Sequence, residues 1–142
     1  MRIDARTAAI LRDIAAHEPV SMIVAGGCMR PCLETGDRIR VRGGRIYWPG
    51  DVVAFHREDG RLLVHRVLGY FPGRRGWSIV AKGDGLSRED EPVARRAVIG
   101  RVVDHRGRPA AVGASRRCRS LLQLLRVALR RSLGPWRSAT SS

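Results

Sequence analysis

The fold class expected of this chain is mainly β: a twisted barrel of short strands with a helix at each end. Three observations carry that expectation. Apolar runs of strand length alternate with Gly, Pro and Asp turns between Val20 and Val103, helical spacing replaces them before and after, and no strand–helix–strand rhythm of a parallel sheet is present. A length of 142 residues suits one domain with one modest core.

The first element spans residues 1–19. Ala8, Leu11, Ile14 and Ala15 recur at helical spacing between residues 5 and 17, and Pro19 ends the pattern. Charged residues interrupt the apolar ones, so neither a secretory signal nor a membrane anchor is expected there.

The β domain is expected over residues 20–104. Its runs are "SMIVAG", "DRIRV", "DVVAFH", "RLLVHRVLGY", "WSIVAKG" and "AVIGRVV". The segments "ETGD", "WPGD", "EDG", "FPGRRG" and "KGDG" separate them with residues suited to tight turns.

Residues 105–142 hold a linker, a second helix and a tail. In "CRSLLQLLRVALRRSLG" the residues Leu121, Leu122, Leu124, Leu125, Ala128, Leu129 and Leu133 share a broad arc, with Arg119, Gln123, Arg126 and Arg130 grouped opposite. Such a helix either caps the domain with its leucines or lays them on an anionic membrane surface. The tail "SATSS" is expected to be disordered.

The net charge is +14, and Lys82 is the only lysine among the 27 basic residues. So basic a surface attracts nucleic acid, anionic lipid or acidic peptide alike. Aromatics make up only 5% of the chain and no nucleic-acid-binding motif is present, which disfavours nucleic acid as partner. Three cysteines are an odd set for a disulfide framework, so reduced thiols and a cytoplasmic location are expected. No run approaches the roughly 20 apolar residues of a membrane-crossing helix.

Four segments carry chemistry in a fixed order: "GGCMRP" at 26–31, "GDRIRV" at 36–41, "GDVVAF" at 50–55 with "LVHRVLG" at 63–69, and "AKGDGLSRED" at 81–90. Together they resemble the signal peptidase I superfamily, which includes the self-cleaving SOS repressors. That pattern is Gly-Ser-Met-x-Pro, two Gly-Asp turns, Lys-Arg or His-Arg-Val, then Lys-Gly-Asp. The resemblance covers residues 20–103.

The resemblance implies a β-barrel peptidase with Cys28 in place of the usual serine nucleophile. It puts His65 at the base position, as in the endoplasmic-reticulum and archaeal type, and leaves Lys82 in the Lys-Gly-Asp turn. A Cys–His pair is coherent chemistry, since imidazole can take the thiol proton. Asp90 is the implied group that orients His65, with Asp84 the second candidate and Glu89 adjacent. Gly27, Met29 and Pro31 are implied substrate contacts. The oxyanion would be held by the Cys28 N–H, and the position two residues earlier, often a hydroxyl in the family, is Gly26.

Blander readings stand beside this one. A free cysteine at a strand end often serves only as a small buried residue. Cys28 and Cys32 form C-x3-C, a weak zinc signal even with His56 or Cys118 and equally a candidate disulfide switch. His17, His56 and His105 read as surface histidines. Two functions follow: a cytoplasmic thiol endopeptidase cutting an extended peptide or leader segment, or a non-catalytic peptide-binding module. Neither needs a cofactor, and both take a peptide or protein partner.

Overall fold

The computed structural model describes residues 1–73 and 76–133. The tail "SATSS" and the tip of the "FPGRRG" turn lie outside them. Helix α1 (Ala5–His17) comes first, followed by β1 (Val20–Ile23), β2 (Arg38–Arg42), β3 (Val52–His56), β4 (Leu62–Gly73), β5 (Gly76–Lys82), β6 (Val93–Ala94), β7 (Val98–His105) and β8 (Arg108–Pro109). Helix α2 (Ala114–Leu133) closes the sequence of elements.

Asp4 caps α1 by accepting the Thr7 N–H at 2.6 Å, which satisfies one of the donors that a helix start leaves unpaired. Ala8 and Ala15 are the buried residues of this helix, and Leu11 packs on the same cluster as Ala15. Small side chains let it sit close on the sheet.

All strand pairings are antiparallel and form one eight-stranded sheet in the order β1-β2-β7-β3-β4-β5-β6, with β8 beside β7. β1 and β6 end that order, so the sheet is open where the expected barrel would close. β6 is only two residues long and pairs β5 alone, which leaves little edge for a closing ladder.

Alternation along β3 sorts the core into two faces, as strand geometry requires. Val52 and Ala54 join Met29, Leu33, Ile39, Val41 and Ile99, whereas Val53 and Phe55 join Tyr47, Val67, Ile79 and Val98. β4 continues the rule: Leu62 and Val64 reach the first cluster and Leu63 the second.

Helix α2 begins at Ala114, four residues before the expected start at Cys118, and docks along one margin of its leucine arc. Ser120 and Val127 are its buried residues, and Val127 packs with Leu68 and Val80 while Leu124 and Phe71 flank them. Of the leucine arc only Leu124 reaches the sheet, whereas Leu121, Leu122, Leu125, Leu129 and Leu133 are exposed. Two ends fix this rotation. Arg117 pairs with Asp51 at 3.0 Å, and Arg130 and Arg131 pair with Glu89. Between them a Cβ on Gly69 would meet Leu124 Cδ2 at 2.4 Å, so the bare glycine gives the helix its seat. No helix among the described residues is long and apolar enough to cross a membrane.

Candidate active site

The site is built where the turn after β1 meets the turn after β5. Cys28 lies in the first turn and its carbonyl accepts the Gly85 N–H at 2.9 Å. Met29, 1% exposed, fills the core beneath and accepts the Asp84 N–H on Sδ at 3.4 Å. A Cβ on Gly83 would stand 2.6 Å from the Cys28 carbonyl, so the second turn presses its backbone directly on the first.

β4 supplies consecutive residues to opposite faces. His65 is buried at 2% exposure, with its ring edge-on to Phe55 at a centroid distance of 5.9 Å. Its Nδ1–H donates to Asp90 Oδ2, so the lone pair of the neutral ring falls on Nε2. Nε2 is buried and has no hydrogen-bond partner among the described residues. Asp90 is held in turn by its backbone N–H on the Ala81 carbonyl at 2.8 Å.

Arg66 points the other way. It reaches Asp84 through two bonds of 2.8 and 2.7 Å, the Gly50 carbonyl at 2.7 Å and Cys32 Sγ at 3.4 Å. Burial works against its charge, but the Asp84 carboxylate and the nearby Cys32 sulfur raise its pKa above the ordinary guanidinium value. The two candidate aspartates therefore part company: Asp90 serves the imidazole and Asp84 the guanidinium. Lys82 faces Arg66 in the β4–β5 register and lines a cavity with Pro31, Asp84 and Arg116. Its side chain shares the Arg66 face, not that of His65.

Cys28 and Met29 line an apolar groove of about 330 Å³. Val20, Met22 and Val24 from the β1 segment and Leu62, Leu63 and Val64 from β4 line it with them. β1 is a sheet edge, and β5 pairs β4 only from Arg66 onward, so the Val64 backbone stands before the ladder begins. Gly27 is exposed beside the Arg30 side chain, and Pro31 belongs to the cavity with Lys82 rather than to the groove. No hydrogen bond joins Cys28 Sγ to His65 among the described residues.

The three cysteines are free. Cys28 opens on the groove and Cys32 on the Arg66 side, so the two thiols of C-x3-C line different cavities. Among the described residues no three His, Cys, Asp or Glu side chains gather to hold a metal. His56 Nε2 bonds the Ile3 carbonyl, and His17 Nδ1 the Asp13 carbonyl. His105 corrects the surface reading, since its Nε2 donates at 2.7 Å to the buried Asp37.

Arg66 and Phe55 are site-shaping residues that sequence reasoning missed. The "HRV" triplet held the clue to the first, because residues adjacent in a strand serve opposite faces. No protein-family model and no curated protein matches the chain.

Proposed function

We propose that the chain is a thiol endopeptidase of the signal-peptidase-like type, its open sheet a variant of that twisted barrel, cutting an extended peptide on the cytoplasmic side. The observation that carries this reading is the unpartnered Nε2 of a buried histidine whose other nitrogen is fixed by a carboxylate. A buried polar atom left without a partner is costly, and such atoms concentrate where a substrate or reacting group supplies the missing bond.

In this mechanism a peptide lies in extended form between the β1 edge and the β4 edge at Val64, which pairs β3 on one side and has not yet met β5 on the other, adding backbone hydrogen bonds as a strand does. The Cys28 thiol turns from the groove wall to His65 and gives its proton to Nε2. The thiolate attacks the scissile carbonyl carbon, and the Cys28 N–H holds the oxyanion. Imidazolium then protonates the departing amine as the C–N bond breaks, leaving a thioester. Water, deprotonated by Nε2, hydrolyses the thioester and restores the thiol. Asp90 keeps the proton on Nδ1 throughout, so that Nε2 is always the exchanging atom.

The absence of a Cys28–His65 hydrogen bond favours a second reading, a peptide-binding module that has lost the chemistry. Iodoacetamide labelling separates the two, because the thiolate is the reacting species. At slightly acidic pH Cys28 is expected to react faster than the more exposed Cys118 and than Cys32. His65→Ala and Asp90→Asn each remove that preference, and Lys82→Ala leaves it. Labelling that follows exposure alone, with Cys118 first and no effect of His65→Ala, leaves the binding module in place of the peptidase.

A further inference from the structure

Helix α2 carries six arginines and no acidic residue between Ala114 and Leu133. It docks through Ser120, Leu124 and Val127, and the direction opposite that seat is occupied by leucines. Leu122, Leu125, Leu129 and Leu133 are 58, 59, 62 and 82% exposed, and Leu121 is 45% exposed. On the helix they form one stripe, roughly 18 Å long at 1.5 Å per residue. Arg119 and Arg126 fall together along one flank of that stripe, between the leucines and the sheet, in line with Arg130, which is held by Glu89. So large an apolar strip on one helix face of a soluble domain marks an interaction surface.

We infer that α2 is a lipid-docking element, which lays its leucine stripe into an anionic bilayer surface with the flanking guanidiniums at the phosphate level. The net charge of +14 selects an anionic partner, and the leucines select one that also removes apolar surface from water. Nucleic acid meets the first condition and leaves the leucines wet. A second copy of this chain meets the second, but it brings two highly basic domains and their Arg119 and Arg126 side chains together. An anionic bilayer presents phosphate just above hydrocarbon, in the order in which this helix presents arginine above leucine. The helix is not apolar enough to cross, so it lies flat. The docking stands whether or not Cys28 is a nucleophile.

The test is co-sedimentation of the full chain with vesicles of phosphatidylcholine containing phosphatidylglycerol, against vesicles of phosphatidylcholine alone. Binding is expected only to the anionic vesicles. Leu122→Ser/Leu125→Ser/Leu129→Ser is expected to weaken it by about tenfold or more, because each leucine contributes apolar area to the interface. Arg119→Gln/Arg126→Gln is expected to weaken it and to flatten its dependence on salt. A second measurement avoids reliance on the folding of the triple variant. An environment-sensitive dye on Cys118, which lies on the leucine side of the helix, is attached in a Cys28→Ser/Cys32→Ser background. Its emission is expected to shift to the blue on anionic vesicles. Vesicle binding unchanged in the triple variant would overturn the inference in favour of bare charge attraction. Self-association that the triple variant abolishes, without vesicle binding, would overturn it in favour of a second copy. A wild-type chain that ignores both vesicle types, with a silent dye, would overturn it in favour of an acidic protein partner.

Discussion

Arg66 holds both carboxylate oxygens of Asp84, Nε to Oδ1 at 2.8 Å and Nη2 to Oδ2 at 2.7 Å, with both side chains mostly buried. The pair closes the turn after β5, and through the Gly50 carbonyl and Cys32 Sγ the same guanidinium ties in the turn before β3 and the segment after Cys28. Removing one partner of such a pair leaves a buried charge without compensation. Asp84→Asn is therefore expected to lower unfolding stability by about 3 kcal/mol. Arg66→Lys is expected to be destabilising as well, since an ammonium has no fork to match two oxygens. Urea unfolding measures both, and an Asp84→Asn chain as stable as wild type would show that the clamp contributes little.

Gly83 has a different part in the same turn. Its backbone is pressed on the Cys28 carbonyl, and the 2.6 Å approach of a built Cβ leaves no room for a side chain. Gly83→Ala must push the Cys28 turn away. The expected result is a chain that still folds but whose Cys28 labelling falls to the rate of an ordinary exposed thiol, read by mass spectrometry of the alkylated peptides. Labelling as fast as wild type would show that the turn has slack.

A pH dependence follows from Asp37. The buried carboxylate accepts the Glu34 N–H at 2.9 Å, His105 Nε2 at 2.7 Å and Arg106 Nε at 2.9 Å. The Glu34 N–H first, then the His105 and Arg106 contacts, hold its pKa well below the usual carboxylate range, against the opposing pull of burial. A group whose folded pKa is depressed stabilises the fold fully above its unfolded pKa, about 4, and loses that contribution as pH falls through the folded value. The stability gap between wild type and Asp37→Asn is thus expected to be constant near neutrality and to shrink on acidification. Denaturant unfolding at a series of pH values checks the sign, and a gap that widens in acid would contradict it.

Local patterning reached most of the secondary structure and stopped where partners are distant in sequence. Helix α1 and six of the strands follow from apolar spacing and turn residues, which are properties of short windows. β6 and β8 are two residues long each, and only their pairing with β5 and β7 makes them strands. Asp37 and His105 meet across 68 positions, a separation over which no local signal operates. The breadth of the α2 leucine arc was visible, but its direction was not. Ion pairs to Asp51 and Glu89 and the room above Gly69 turn the helix, and none of these lies within it. The resemblance put Cys28, His65, Asp84 and Asp90 in one region. Which aspartate faces which base required the alternation of β4, read against the loop that returns Asp90 to Ala81.

That His65 and Arg66 are neighbours on one strand makes register itself a safeguard. A slip of one residue against β3 would send imidazole toward Asp84 and guanidinium toward Asp90, exchanging the roles of the two faces at once. No gradual loosening of β4 can spoil the imidazole while sparing the clamp. Hydrogen exchange in the β3–β4 ladder and accessibility of the His65 ring should accordingly rise together, in a single opening event that releases the imidazole and the guanidinium clamp as one unit.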